Sequence, residues 1–508
     1  MRPSLAKRIL LFFGVLLVAV PASAATCESL TNLKLPDTKI TSAEVEAAGA
    51  FTPPAPGGNA AAASQFSTLP AFCRVTVTLT PSSDSDIKVE VWLPVSGWNG
   101  KFQAVGNGGW AGTISYPALA LAVKGGYATA STDTGHTGGG AAFALGHPEK
   151  LTDHAYRAVH DMTVQSKDII NAFYANSPTL SFWNGCSLGG RQGITEAMLY
   201  PADFDAIVSG ASALNAMLLH GSRVAINHYA HRSADSYIPP EKYPMIHSAV
   251  LQACDALDGV KDGVIEDPRQ CHFDPQVLAC KGDDAPTCLT AAQVETARAL
   301  YAPITNPKTG AVVFFALLQP GSELSWNVLA GPQPLGLSTD AFKYVIFKDP
   351  NWDWRSFDAA TDIDLGVKED NGLLNRTDPN LKPFFAHGGK LLMYHGWADP
   401  QVTPLNSVNY YNDVLHTVGK DAAGKSIALY MVPGMSHCQG GPGTDNFDKM
   451  AAIEQWVAKG AAPDKIVASH LTNGTVDRTR PLCPYPQVAV YNGTGSTDDA
   501  ANFACKAR

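Results

Sequence analysis

A hydroxyl, an imidazole and a carboxylate stand in three separate stretches whose spacing suits acyl transfer. In Gly185-Cys186-Ser187-Leu188-Gly189 a serine lies between two glycines, the pattern of a sharp strand-to-helix turn that holds Oγ above a sheet. Alone this pentapeptide is a weak signal, but an apolar run precedes it, Gly190 follows it, and a helical pattern starts at once. A serine nucleophile needs a base and an orienting acid, which follow in the order Asp, His when the serine comes first. Asp399 ends one strand-like run, and His437 follows the next in Pro433-Gly434-Met435-Ser436-His437-Cys438. Cys186 precedes the serine and Cys438 follows the histidine; a bridge between them would bring their Cα atoms to about 4.4–6.8 Å and clamp Ser187 beside His437. Closure of a nearby loop by either cysteine is the competing reading. His395 reads as a ligand or as a satisfied strand-end histidine, and Asp133 with His136 comes too early for the expected order. The developing oxyanion needs two donors: the N–H of Leu188, and one from the Gly106 to Gly109 loop, with Gly108 or Gly109 favoured. No Gly-Lys-Ser/Thr follows that loop, which disfavours a phosphate cradle.

These residues need a scaffold. Strand signals begin after Phe72, at Arg74 to Leu79 and Ile87 to Leu93, and continue at Phe102 to Val105, Tyr127 to Ser131, Ser181 to Trp183 and Ala206 to Val208. Upstream, Phe51 to Ala63 reads as linker or irregular surface. The spacing predicts a long helix from about His154 to Tyr174 and another from Gln192 to Tyr200. This alternation implies a mostly parallel sheet between helices. Sheet-like sequence resumes at Lys390 to Gly396 and Ile427 to Val432, with helices expected at Asn406 to Val418 and Phe447 to Ala458. The segment between has few strand signals and many aromatics, including Trp326, Phe342, Tyr344, Phe347, Trp352 and Trp354. The division expected is therefore one catalytic domain built from 25–212 and 383–508, interrupted by a lid domain over 213–382; a single large α/β domain with long loops is the alternative.

Residues 1–24 read as a secretory leader: basic Arg2, Lys7 and Arg8, an apolar run of 12 residues from Ile9 to Val20, and Ala22-Ser23-Ala24 at the cleavage site. That run is far short of the roughly 20 residues a membrane span needs. A secreted or periplasmic protein is expected. The chain has 37 Lys plus Arg against 46 Asp plus Glu, net −9, and losing the leader's three basic residues takes the balance to −12. Such a surface argues against nucleic acid or an anionic membrane as partner. The 10 cysteines, even in number in an exported chain and without C-x2-C spacing, point to disulfides rather than zinc.

Asp255, Asp258 and Asp262 crowd one loop with two Asp-Gly turns. Hard oxygen ligands at this density suit calcium, solvent-facing turns being the bland alternative. The terminal glutamate of an EF-hand is missing.

The chain resembles the tannase and feruloyl esterase family, which includes the hydrolase of mono(2-hydroxyethyl) terephthalate. The motifs are Gly185-Cys186-Ser187-Leu188-Gly189-Gly190-Arg191-Gln192-Gly193, Tyr394-His395-Gly396-Trp397-Ala398-Asp399, Val432 to Cys438, Gly440-Gly441-Pro442-Gly443 and Arg480 to Pro486. The resemblance spans nearly the whole mature chain. It implies an α/β-hydrolase fold with a large inserted lid domain, a triad of Ser187, Asp399 and His437, and the bridge Cys186–Cys438. It also implies bridges Cys27–Cys73, Cys254–Cys271, Cys280–Cys288 and Cys483–Cys505. A structural calcium held by Asp255, Asp258 and Asp262 with the carbonyls of Val260 and Val264 follows from the same likeness, with no organic cofactor. The substrate implied is a small aromatic ester, free or carried on a plant polymer: feruloyl first, then galloyl, then a terephthalate monoester. Two rivals come from other classes. A serine carboxypeptidase would cleave peptides, and a silent binding protein would leave the serine unreactive.

Overall fold

The structure, a computed structural model, describes residues 25–54 and 65–507. The expected leader at 1–24 lies outside these residues, as does the linker reading from Ala55 onward. Phe51, which begins that reading, is buried instead, its ring edge-on to Trp92 with centroids 4.6 Å apart. An aromatic ring at a sheet edge finds apolar neighbours that the local sequence does not show.

The strands in chain order are β1 (Thr38–Glu46), β2 (Phe72–Leu79), β3 (Ile87–Pro94), β4 (Lys101–Val105), β5 (Ala128–Thr132), β6 (Leu180–Cys186) and β7 (Ala206–Gly210). After a small hairpin of β8 (Ile304–Thr305) and β9 (Val312–Phe314) come β10 (Lys390–Gly396) and β11 (Ile427–Val432). Two more hairpins close the chain, β12 (Ile466–Thr472) with β13 (Thr475–Leu482) and β14 (Gln487–Tyr491) with β15 (Phe503–Ala507). Nine strands form one sheet in the order β1-β2-β3-β5-β4-β6-β7-β10-β11. Pairing is antiparallel from β1 through β3 to β5 and parallel from β5 onward. Strands β5, β7 and β11 are buried at every residue, as parallel strands covered on both faces must be.

Helices supply the cover. One face packs on α2 (Ala158–Tyr174), α3 (Leu188–Leu199) and α8 (Leu405–Val418), through Met162, Ile170, Ile194 and Val414 among others. The other face packs on α9 (Lys449–Lys459) through Ile453 and Trp456, and near the other edge on α1 (Tyr116–Lys124) through Leu119 and Val123. Helix α9 starts where the Asp448 carboxylate accepts from Ala451 N at 2.8 Å and stops at Gly460, φ 70°; an acidic N-cap and a left-handed C-terminal residue are the usual end signals. The helical pattern expected from His154 has an earlier, irregular start: a short α-helix at Pro148–Thr152 runs into a π-helical segment, Asp153–Arg157, before α2. This is the fold class expected, a layered α/β-hydrolase with extra helices inserted.

The insertion between β7 and β10 carries α4 (Ala216–Ala230), α5 (Tyr243–Cys254), α6 (Ala291–Tyr301) and α7 (Asp362–Asp370) with short 3-10 turns between. Trp326 and Phe342 are fully buried in its own apolar cluster, which also takes in Trp110, Ala141, Ala155 and Val402 from connections of the sheet-bearing part. These two aromatics are therefore core. Five disulfides join Cys27–Cys73, Cys186–Cys438, Cys254–Cys271, Cys280–Cys288 and Cys483–Cys505, the pairings implied by the resemblance. Among the described residues no helix is long and apolar enough to cross a membrane.

Candidate active site

The carboxyl ends of four parallel strands converge on Ser187. The turn from β6 into α3 places it at φ 63°, ψ −119°, a sparsely populated conformation of the kind stored at functional sites. Its N–H donates to Gly210 O at 2.9 Å and its carbonyl accepts from Ala213 N at 3.1 Å, so both backbone groups are pinned by the end of β7 and the residues that follow it. The turn needs its glycines. A Cβ on Gly185 would lie 2.5 Å from the Gly189 carbonyl, and one on Gly190 2.3 Å from Gly210 O.

Asp399 follows β10, and both of its carboxylate oxygens are occupied. Oδ1 accepts from Gln401 N at 2.7 Å and Val402 N at 2.9 Å; Oδ2 accepts from His437 Nδ1 at 2.7 Å and from His395 Nε2 at 3.1 Å. Burial opposes charge on this group, but the two imidazoles outweigh it and hold its carboxyl well below the usual range. His437 follows β11 and is half-buried. With Nδ1–H committed to Asp399, its Nε2 is left as the basic nitrogen. The bridge Cys186–Cys438, Cα atoms 6.1 Å apart, ties the residue before the serine to the residue after the histidine across 252 positions. In this geometry no hydrogen bond joins Ser187 Oγ to His437 among the described residues; such contacts tighten when substrate enters.

Leu188 N–H lies in the first turn of α3, where a helix has no internal acceptor for it. Gly109, at φ 55°, lines the same cavity as Ser187 and Leu188, whereas Gly108 is exposed beside it. The geometry thus favours Gly109 of the two loop candidates. Sequence reasoning missed what holds this loop. Asn107 O accepts from Gly189 N at 2.8 Å, Asn107 N donates to Gln192 Oε1 at 3.1 Å, and Asn107 Nδ2 donates to Thr132 O at 2.7 Å. Two side chains thereby lock the glycine loop to the nucleophile helix. Their signal lay in the Asn within the glycine run and the Gln of the serine motif.

The cavity that Ser187 borders has Trp110, His154, Arg191, His220 and Arg223 among its other walls. His395, left open in the sequence, is fully buried with both ring nitrogens engaged, Nδ1 by Ser407 Oγ at 2.8 Å and Nε2 by Asp399 and the Val402 carbonyl. Asp133 instead braces a turn, its Oδ1 accepting from Lys88 N and Gly135 N, each at 2.8 Å.

The acidic loop lies in the insertion, bent at Gly259 and Gly263, φ 94° and 80°. Asp255 is buried and accepts from the N–H groups of Asp262 and Gly263 at 3.1 to 3.2 Å. Asp258 Oδ1 accepts from Val260 N at 2.9 Å, and Asp262 Oδ1 from Val264 N at 3.1 Å. Asp258, Asp262, Val264 and Glu266 border one small cavity together with Arg478 and Arg480, both of which pair with Asp262. By donor chemistry the loop fits a hard cation that would share Asp262 with arginine. Elsewhere, among the described residues, two groups bring three possible metal ligands within 4.8 Å: His160–Glu196–Asp203 and Cys280–Asp284–Cys288. The sulfurs of the second group are joined to each other.

A family profile described as "Tannase and feruloyl esterase" matches residues 73–506. An uncharacterized esterase of Xanthomonas campestris pv. campestris is 38% identical over an alignment of 550 positions, covering 98% of this chain and 94% of that one. A "probable feruloyl esterase B-2" of Aspergillus terreus is 33% identical over 507, covering 95% of each chain. The crystal structure of feruloyl esterase B from Aspergillus oryzae superposes with a TM-score of 0.87 at 31% identity, over 94% of this chain and 99% of that one.

Proposed function

We propose that this chain, which belongs to the tannase and feruloyl esterase family, is an exported serine esterase that cleaves aromatic carboxylic esters, feruloyl-type esters first among them. One observation carries the chemistry: the strained Ser187 turn, which borders a cavity, and the Asp399–His437 pair are clamped together by Cys186–Cys438. The aromatic acyl group comes from the names of the relatives. Export rests on the leader pattern alone.

In the cycle, Ser187 Oγ attacks the ester carbonyl as His437 Nε2 takes its proton. Leu188 N–H and Gly109 N–H receive the negative oxygen, which stabilises the transition state more than the ground state. Asp399 holds the imidazole tautomer and balances the imidazolium. His437 then protonates the departing alcohol, and a water activated by the same nitrogen releases the acid from Ser187. No step calls for an organic cofactor.

Hydrolysis of methyl ferulate, methyl gallate, a terephthalate monoester, short aliphatic esters and peptides tests the reading. Feruloyl turnover, with loss of both activity and covalent serine-probe labelling in Ser187→Ala, is expected. Turnover of aliphatic esters alone, or of peptides, would overturn it.

Calcium is the second part of the proposal. Asp255, Asp258 and Asp262, with the carbonyls of Val260 and Val264, would hold one ion, which would stiffen the insertion. A chelator is expected to lower the melting temperature by several degrees, in line with ligand linkage, and added calcium to restore it. Purified protein with neither bound metal nor a chelator effect would count against the site.

A further inference from the structure

The cavity beside Ser187 contains polar groups that the hydrolytic steps do not use. Trp110 is fixed by its Nε1–H to Leu337 O at 2.9 Å and stacks with His154 at 5.0 Å and His220 at 5.9 Å between centroids. Arg191 is only 6% exposed, and its guanidinium makes no hydrogen bond or ion pair among the described residues. Burial, opposed by the charge of Asp370, pushes its guanidinium down to about 10, so it remains charged near neutral pH. His154 is 1% exposed, and its Nε2 has no partner. It stands in the π-helical segment Asp153–Arg157, an irregularity that often marks functional positions in helices.

The hydrogens of this cluster can be assigned. His136 Nε2 lies 2.8 Å from the Trp110 carbonyl, which only accepts, so that nitrogen carries the proton. Burial holds His136 neutral, leaving Nδ1 with a lone pair. Thr134 Oγ1 lies 3.4 Å from that lone pair and 3.1 Å from His154 Nδ1. One hydroxyl has one hydrogen to give. Given to His136, it leaves the Thr134 oxygen to accept from His154 Nδ1–H, and both contacts of the hydroxyl are matched; given to His154, it sets a hydroxyl lone pair against that of His136. His154 is also held neutral, by burial first and with the charge of Arg191 acting in the same direction. Its Nε2 is therefore a buried acceptor in a cavity wall, a state that is unfavourable unless a ligand satisfies it.

We propose that the wall formed by His154 and Arg191 recognises a neutral aromatic hydroxyl on the acyl group, with His154 Nε2 accepting its O–H and the Arg191 guanidinium donating to its oxygen. The proposal rests on the aromatic-ester reading above and deepens it. A carboxylate has no hydrogen for His154, and neither has a methyl ether. The pocket would thus select hydroxyaryl esters over terephthalate monoesters and over O-methylated analogues, since a site built around a hydroxyl rejects substrates that leave its polar groups unpaired.

The test compares kcat/KM for methyl 4-hydroxycinnamate, methyl 4-methoxycinnamate and methyl 4-carboxycinnamate in the wild type, His154→Phe and His154→Gln. Each ratio is taken on one preparation, so the amount of folded enzyme cancels. The wild type is expected to favour the hydroxy over the methoxy ester by about tenfold or more, the scale of one buried hydrogen bond. His154→Phe should bring that ratio close to unity, and His154→Gln, whose Oε1 still accepts, should keep most of it. Equal turnover of hydroxy and methoxy esters by the wild type, preference for the carboxylate ester, or an unchanged ratio in His154→Phe would overturn the proposal. If His154→Phe does not fold, the wild-type and His154→Gln ratios decide. Cleavage of aliphatic esters with none of the three aromatic ones would instead bring down the aromatic reading, and this inference with it.

Discussion

Asp399 accepts four hydrogen bonds, two from backbone N–H groups and two from imidazoles. Only one of those imidazoles belongs to the proton line from Ser187. The other, His395, orients the carboxylate from behind and is itself held by Ser407. His395→Leu should reduce kcat roughly 10- to 100-fold with little change in KM, the scale of one hydrogen bond to a charged group. Losing a donor that favours the charged form raises the Asp399 pKa, so the acid limb of the rate profile should move to higher pH. Stability follows the same sign. A carboxyl held below its unfolded value contributes stability above the ordinary carboxylate range and loses it as pH falls toward the folded value. The variant should therefore acid-denature at higher pH, as circular dichroism would report. An unchanged pH profile would make His395 mere filling. At this scale the sequence showed the reacting groups, because their motifs are local. It did not show the second histidine's task, which depends on how the turn after β10 folds back on that strand, or the His154 wall, where distant segments meet.

Geometry at the elements turns on the passage from β6 to α3. Gly190 is one turn residue whose missing side chain matters, since a methyl there meets backbone oxygen at 2.3 Å and Ser212 Oγ at 2.9 Å. Gly190→Ala should cost about 1–3 kcal/mol of stability, the range for overpacking, and should lower esterase activity further by displacing Ser187; thermal melting with matched activity assays checks both. A variant as stable and active as the parent would show that the turn has slack. The parallel strands were legible because apolar runs bounded by Gly and Pro mark them, and α8 and α9 by their helical spacing. Strand β1 was not. It is an edge strand with a bulge between Ile40 and Ser42 and only Ile40 and Ala43 buried, so its pattern is mostly polar. The irregular start of α2 was equally hidden, because a π segment keeps helical composition while shifting its face.

Across the whole molecule, the helical insertion separates the serine from its acid and base in sequence while packing against the loops that carry them. Its aromatic content was visible in the sequence, but the division between core rings such as Trp326 and cavity-wall residues was not, since composition does not reveal which side faces the serine. Four of the five bridges close within one region of the chain: Cys27–Cys73 before the nucleophile, Cys254–Cys271 and Cys280–Cys288 inside the insertion, Cys483–Cys505 at the end. Cys186–Cys438 alone reaches across. A protease that nicks an exposed turn of the insertion outside its internal bridges would therefore cut the backbone without releasing either half. Such a product should migrate as one band on a non-reducing gel and as two once thiol is added, and it should keep turning over ester until the reductant arrives. Two bands without reductant would mean that the halves are not tied through the active site.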